Sequence, residues 1–379
     1  MLAAAAGTAL LRDTADAADD AGGQVRRYFI QAEEVAWDYA PDRRDRVAGG
    51  PFGEDAKVFV ARGRDRIGSV YRKALFRGYT DDTFRTRLDQ GAAWRHLGAL
   101  GPVIHAEVGD TVEVVLRNDT RRPVSLHPHG LRYDKASEGA PYADGTAGEE
   151  KGDDAVAPGA SRTYRWEVPE RAGPAEHEGS STMWMYMSHT REVADQYAGL
   201  MGPIIVTRKG EARPDGTPAD VDRELVANFM VIDENQSPYL RRNLRRLPKR
   251  GARVDLEDEG FVESNLLHAI NGFVYGNGPG FDAPEGARTR WYLMGMGTEV
   301  DLHTPHWHGA TATVMGMRTD VASLLPGSMV VADMRPHAQG TWLFHCHVND
   351  HITAGMSARF TVGDAAASAA TADHAEHAG

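Results

Sequence analysis

Residues 342–356 read Trp-Leu-Phe-His-Cys-His-Val-Asn-Asp-His-Ile-Thr-Ala-Gly-Met, the densest set of soft and borderline metal ligands in the chain. Cys346 is the only cysteine, so no intrachain disulfide can form. A lone cysteine is ordinarily a small buried hydrophobe. This one has His345 and His347 on either side, His351 five residues on and Met356 ten residues on. A thiolate with two imidazoles and a weak axial thioether is the ligand set of a blue copper centre. The second imidazole must come from elsewhere in the chain, and His303 is the candidate. On a strand, Cys346 points to one face and its two histidine neighbours to the other. A copper on Cys346 is then joined through the backbone to metals on the far side, a short covalent path between two sites.

These residues carry a resemblance. His345-Cys346-His347, followed by His351 and Met356, resembles the C-terminal signature of multicopper oxidases. His303-Thr-Pro-His306-Trp-His308-Gly309 is similar to the His-x-x-His-x-His motif of that family. The resemblance implies four coppers per subunit. The blue (type 1) copper takes His303, Cys346, His351 and axial Met356. His127 and His306 hold the single (type 2) copper. One copper of the binuclear (type 3) pair takes His189, His308 and His345; the other takes His129, His347 and the residue at position 187. There the chain departs from the family, with Met187 in place of histidine. A thioether is softer than imidazole, favours Cu(I), and has no N–H to anchor it from behind. The resemblance also implies acids near the cluster, and Glu138 and Asp350 are the candidates for proton supply. The histidines His96, His105 and His268 read as structural or surface residues.

The elements that position these ligands repeat. His127-Pro-His129-Gly130 is followed by Met187-Ser-His189 and an apolar segment at 199–206; His306-Trp-His308-Gly309 is followed by His345-Cys-His347 and a similar segment at 354–362. That is a repeat of whole domains. Alternating stretches such as 108–117 and 161–168 read as strands, and 41 Gly with 19 Pro suit many short strands joined by turns. The fold class is all-β, two Greek-key β-sandwiches, which the resemblance makes cupredoxin-like. The expected organisation is an unstructured segment at 1–24, a first domain at 25–208, a polar Pro/Gly linker at 209–220, a second domain at 221–363 and an unstructured tail at 364–379 carrying His374 and His377. Tyr28–Pro41, Leu97–Thr111, His268–Gly276 and Trp291–Gly297 are similar to ceruloplasmin-type domains.

A net charge of −12 argues against a nucleic-acid partner. The basic run Arg241–Arg250 reads as a solvated excursion, and no apolar run reaches the length of a membrane span. The resemblance implies an oxidase that takes single electrons from phenols, aromatic amines, Fe(II) or Cu(I), near an exposed edge of His351, and reduces dioxygen to water. It further implies a homotrimer with clusters at subunit interfaces, and export, the signal absent or trimmed. The rival reading is a copper-binding or electron-transfer protein whose cluster is impaired at Met187. A copper nitrite reductase fits less well, because its blue copper lies in the first domain.

Overall fold

The computed structural model describes residues 23–247 and 254–363. The terminal segments expected to be unstructured lie outside these, except Gly23 and Gln24, as do His374, His377 and the end of the basic run. Gln24 is tied down, its backbone N–H donating to Asp110 Oδ1 at 2.9 Å. No described helix is long and apolar enough to cross a membrane.

The chain is all-β with a few short helices, and the described strands form four sheets. In the first half, Val70–Tyr79, Val25–Asp38, Thr111–Asp119 and Ser161–Glu167 lie in that order; Ile104–Glu107, Met201–Thr207, Ser181–Met187 and His127–Pro128 form the second sheet. Alternation builds the core between them. Val112, Val114 and Leu116 of one strand are buried together with Ile204 and Val206 of another, while the intervening residues of Thr111–Asp119 reach outward.

The second half repeats the plan strand for strand. Leu266–Ile270, Arg223–Asp233, Thr289–Gly295 and Ser328–Met334 run in the same order, extended at one edge by Ala312–Val314 and Met317–Thr319. Phe281–Pro284, Ser357–Gly363, Gly340–Cys346 and Pro305–Trp307 form the partner sheet. Even the unusual parallel pairing recurs: Val25–Asp38 with Thr111–Asp119, and Arg223–Asp233 with Thr289–Gly295.

A third apolar cluster joins the halves. Met183, Met185, Met187 and Met201 meet Val226, Met230, Tyr292 and Met294 there. Thr289–Gly295 is therefore buried along its whole length, one face serving the second sandwich and the other this joint. One buried ion pair crosses between the halves: Lys73 Nζ lies 2.6 Å from Glu234 Oε1. Tyr39 donates to the same oxygen at 2.6 Å.

The polar stretch 209–220 has local structure of its own. It folds back through a bridge between Ala212 and Pro218, and Thr207 Oγ1 donates to the Gly216 carbonyl at 2.9 Å. The described arginines of the basic run are mostly exposed, but its first turn is docked. Residues Leu240–Leu244 form a helical turn docked by buried Asn243, whose side-chain oxygen accepts the Arg72 N–H at 2.7 Å, and Arg242 pairs with Glu34. Leu240, Leu244 and Leu247, packed against the joint, and Asn243 supply the docking that a charge count hides.

Candidate metal centre

Cys346 ends the strand Gly340–Cys346, and its neighbour two residues back, Phe344, anchors it. Phe344 is fully buried against Trp291 at 4.6 Å, Phe281 at 5.3 Å and Trp307 at 5.6 Å between ring centroids. Cys346 shares that inner face and is fully buried. The helical turn Asn349–Thr353 returns His351 toward the thiol, and the backbone entering Pro305–Trp307 brings His303 from the other side. His351 Nδ1 lies 3.5 Å and His303 Nδ1 3.9 Å from Cys346 Sγ, with the two Nδ1 atoms 3.2 Å apart. Met356 is fully buried, and its carbonyl accepts the Cys346 N–H at 3.1 Å.

Asp301 completes this arrangement, and sequence reasoning passed over it. Its Oδ1 lies 3.2 Å from His303 Nε2. A carboxylate can only accept, so Nε2 carries a proton there and Nδ1 is the nitrogen left facing Cys346. Asp301 is itself held by the N–H groups of Val231 at 2.6 Å and Thr298 at 2.8 Å. The available signal was its position two residues before His303. Burial pushes the Cys346 thiol up, but hydrogen bonds with His303 and His351 more than offset it and lower it to about 6. Burial works against a charged His303, yet Asp301 and Cys346 together raise it. The donor set thus fits a thiophilic, imidazole-binding metal such as copper: three buried donor atoms converge, and the sulfur is poised as thiolate.

On the opposite face, His306, His308, His345 and His347 lie together. Ring centroids are 5.2 Å apart for His306–His345, His306–His347 and His308–His345. His308 Nε2 is 3.2 Å from His345 Nε2. His306 Nδ1 donates to the Asp320 carbonyl at 2.9 Å and His345 Nδ1 to the Cys346 carbonyl at 2.8 Å, so both leave Nε2 unprotonated. Burial lowers the pKa of His308 and of His345, keeping neutral donors at ordinary pH.

The first half carries a matching set. His127 lies 5.6 Å from His129 and 5.2 Å from His189 between centroids. His127 Nδ1 donates to the Glu138 carbonyl at 2.7 Å, again freeing Nε2. Glycine follows each His-x-His for a steric reason. Gly130 has φ +74° and Gly309 φ +68°, and a Cβ there would lie 2.2 Å from Trp184 or 2.6 Å from Trp342. Those tryptophans occupy equivalent positions on the neighbouring strands.

Register makes the departure at 187 explicit. His127 is paired with Met187 just as His306 is paired with His345. Met187 is buried in the joint between the halves, and its sulfur accepts from Gln196 Nε2 at 3.7 Å. At the position of Cys346 stands Ser188, fully buried, with Oγ donating to Asp195 at 2.7 Å. At that of Met356 stands Leu200, whose carbonyl accepts the Ser188 N–H at 3.0 Å.

Among the described residues, no ring contact joins the two histidine sets within the chain. The exposed edge expected for His351 is not there either: His351 is buried, capped by the His268 ring at 5.3 Å, which itself meets Phe59 at 5.6 Å. Sequence spacing could not show that His268, backed by Phe59 of the first half, supplies this cover. Glu138 directs its carboxylate to Lys135 and Tyr142 rather than to the histidines. Asp350 is exposed. His96 is structural: Nδ1 donates to the Ala93 carbonyl at 2.9 Å and Nε2 accepts the Val226 N–H at 3.0 Å. His105 Nε2 lies 3.3 Å from Glu224.

Comparison with known proteins agrees with this geometry. Two family profiles, each described as multicopper oxidase, match residues 95–211 and 248–366. Ferroxidase HEPHL1 of Mus musculus is 42% identical over 346 residues, covering 90% of this chain and 30% of that protein. Hephaestin of Homo sapiens is 41% identical over 344 residues, covering 90% and 29%. Ceruloplasmin of Rattus norvegicus is 40% identical over 342 residues, covering 89% and 32%. The chain therefore spans about three-tenths of the length of these relatives. Among solved structures, one multicopper oxidase matches with a TM-score of 0.55 at 18% identity over 89% of both chains. Multicopper oxidase mgLAC matches at 0.56 and 19% over 90% of this chain and 87% of that one. Both share the fold.

Proposed function

The chain belongs to the multicopper oxidase family, and on that premise we propose that it is a copper-dependent oxidoreductase. It couples one-electron oxidation of a small reductant to four-electron reduction of dioxygen to water. Residues 25–208 and 221–363 are its two copper-binding domains. His303, Cys346, His351 and Met356 would hold the blue copper. His127, His129, His189, His306, His308, His345 and His347, with Met187 in the eighth position, would hold the other three. When bound, copper supplies reversible one-electron chemistry and a binding place for dioxygen.

The observation that carries this reading is the junction at Cys346. Its thiol meets two imidazole Nδ1 atoms on one face, while the peptide bonds on either side lead to His345 and His347 on the other. The protein's own groups prepare both ends. Asp301 fixes the tautomer of His303, and backbone carbonyls fix those of His127, His306 and His345. Phe344 and the tryptophans around it exclude water from the thiol. The His268 ring, 5.3 Å from that of His351 and tilted against it, is the group lying between the buried site and an approaching reductant. Fe(II) is the favoured reductant, by analogy with the relative named a ferroxidase; phenols, aromatic amines and Cu(I) are the others to try.

Among the described residues no ring contact joins the two histidine sets, which supports a head-to-tail homotrimer completing each cluster between subunits. The chemistry and relatives together favour a location outside the cytoplasm. A second reading rests on Met187: a thioether sequestered in an apolar joint leaves one copper short of an imidazole, giving an electron-transfer protein with a weak cluster.

Oxygen uptake by the copper-loaded protein, with Fe(II) and with a phenolic donor, separates the two. Sustained uptake, with the blue band bleaching and returning in air, is the expected result. A band that reduces and stays bleached in air would leave the electron-transfer reading. Recovery of uptake in Met187→His would then mark a lost oxidase.

A further inference from the structure

The surfaces bearing the two histidine sets also carry charges left without ion-pair partners, and the signs are opposite. On the second half, a cavity of about 470 Å³ is lined by Arg288, Arg290, Arg318 and Arg335. It shares Thr311 and His337 with the groove lined by His306 and His308. Arg288 and Arg290 are committed to Asp222 and Asp333. Arg318 donates to Thr311 Oγ1 at 3.3 Å and Arg335 to the Gly286 carbonyl at 3.1 Å. Neither has a carboxylate within ion-pair distance among the described residues.

On the first half, the loop over residues 138–154 borders the other histidines. The Glu138 carbonyl accepts from His127, and the Asp154 carbonyl accepts the hydroxyl of Thr190, beside His189. Asp144 and Asp154 are both taken by Lys151. Glu149 and Glu150, on the helical turn Gly148–Lys151, are exposed and have no cation among the described residues. Apolar side chains accompany each set: Tyr142 and Val193 are 52% and 53% exposed on the acidic side, and Met315 and Met317 are 84% and 68% exposed on the hairpin that leads to Arg318. Tyrosine, methionine and arginine are the residues that protein interfaces favour.

We infer that the acidic turn of one copy, through Glu149 and Glu150, docks at the Arg318–Arg335 pocket of the next copy, bringing the two half-clusters into register. This rests on the head-to-tail reading above and names the contact that sets its direction. Copies carrying a net charge of −12 repel at long range. The four-arginine pocket next to His306 and His308, with Asp220 and Asp333 also in its wall, is then the orientation-selecting feature, since complementary charge chiefly governs encounter and register.

The test is sedimentation of the copper-loaded full chain, at low and high salt, for the wild type, Arg318→Glu/Arg335→Glu, Glu149→Lys/Glu150→Lys, and all four changes together. The blue absorption band reports that each variant is folded. The expected result is a salt-sensitive oligomer, weakened roughly tenfold or more by either charge reversal and restored by the combination. An oligomer indifferent to both reversals overturns this contact and leaves the head-to-tail reading standing. A wild-type chain that stays monomeric at all salt concentrations, with its blue band intact, overturns both. A pocket that binds inorganic phosphate while reversal leaves assembly unchanged identifies an anion site instead, and overturns the docking.

Discussion

At the scale of single residues, the decisive contacts are those that fix which nitrogen of a histidine is free. Asp301 does this for His303 through a buried carboxylate, and backbone carbonyls do it for His127, His306 and His345. Only the first of these can be altered by substitution without moving the chain. Asp301→Asn keeps an acceptor but removes the charge. Copper affinity at the blue site should fall roughly 10- to 100-fold, read by competition with a chelator; unchanged affinity would show that Asp301 only packs. The thiol at about 6 makes a second prediction. Above that pH the sulfur is already thiolate and copper uptake releases no proton from it. Below it, a proton must leave, so affinity should drop about tenfold per pH unit. Uptake that is independent of pH between about 4 and 6 would contradict the assignment of the thiolate.

Strands, one level up, convert a spacing of one residue into two chemical environments. Gly340–Cys346 places Phe344 and Cys346 in the core and His345 on the other face, so that packing of one holds the other in place. Phe344→Ala removes a ring that meets those of Phe229, Phe281, Trp291 and Trp307. It should cost about 3–5 kcal/mol of stability, measured by denaturant unfolding of the apoprotein. It should also shift the blue band, because the strand end relaxes into the void; loss of stability with an unaltered band would mean that Cys346 is held independently of Phe344. The repeat shows the same logic. The first half keeps the strand pair, the Gly–Trp contact and the register, but places Ser188 and Leu200 where the second half has Cys346 and Met356. It retains the scaffold of a blue site with other chemistry inside.

For the whole molecule, two sandwiches share a buried joint, and the joint limits what each half does alone. Lys73 and Glu234 meet there with Tyr39, away from solvent. Burial lowers the pKa of Lys73, and the Glu234 charge opposes that shift. Glu234→Gln leaves the ammonium without its counter-charge and should destabilise the fold by about 3–5 kcal/mol. Replacing both as Lys73→Met/Glu234→Gln should recover much of that loss in thermal unfolding. A double variant no better than the single one would show that the pair is needed for packing rather than for charge balance. The same joint covers His351 and takes in Met187, so access to the blue site and the quality of the cluster are both properties of the assembled chain.

Much was legible from residues alone. A single cysteine between histidines, with His351 and Met356 at fixed spacing, named a copper chemistry because few other side chains offer that set. Alternation gave the strands, and the doubled His-x-His gave the repeat, since both are local periodicities. The departure at Met187 was visible by position, and pairing with His127 gave it a structural equivalent in His345. What spacing could not give was anything depending on a remote partner. Asp301 behind His303, His268 and Phe59 over His351, and Lys73 against Glu234 are meetings of segments far apart in the chain. In the basic run Arg241, Arg245 and Arg246 are exposed, as charge suggests, but the docking of its first turn by buried Asn243 could not be read from charge. Ligand identity is set by side-chain type and is therefore written in the sequence. Ligand protonation, solvent access and the separation of the two histidine sets depend on which surfaces face each other, and only the tertiary structure decides that.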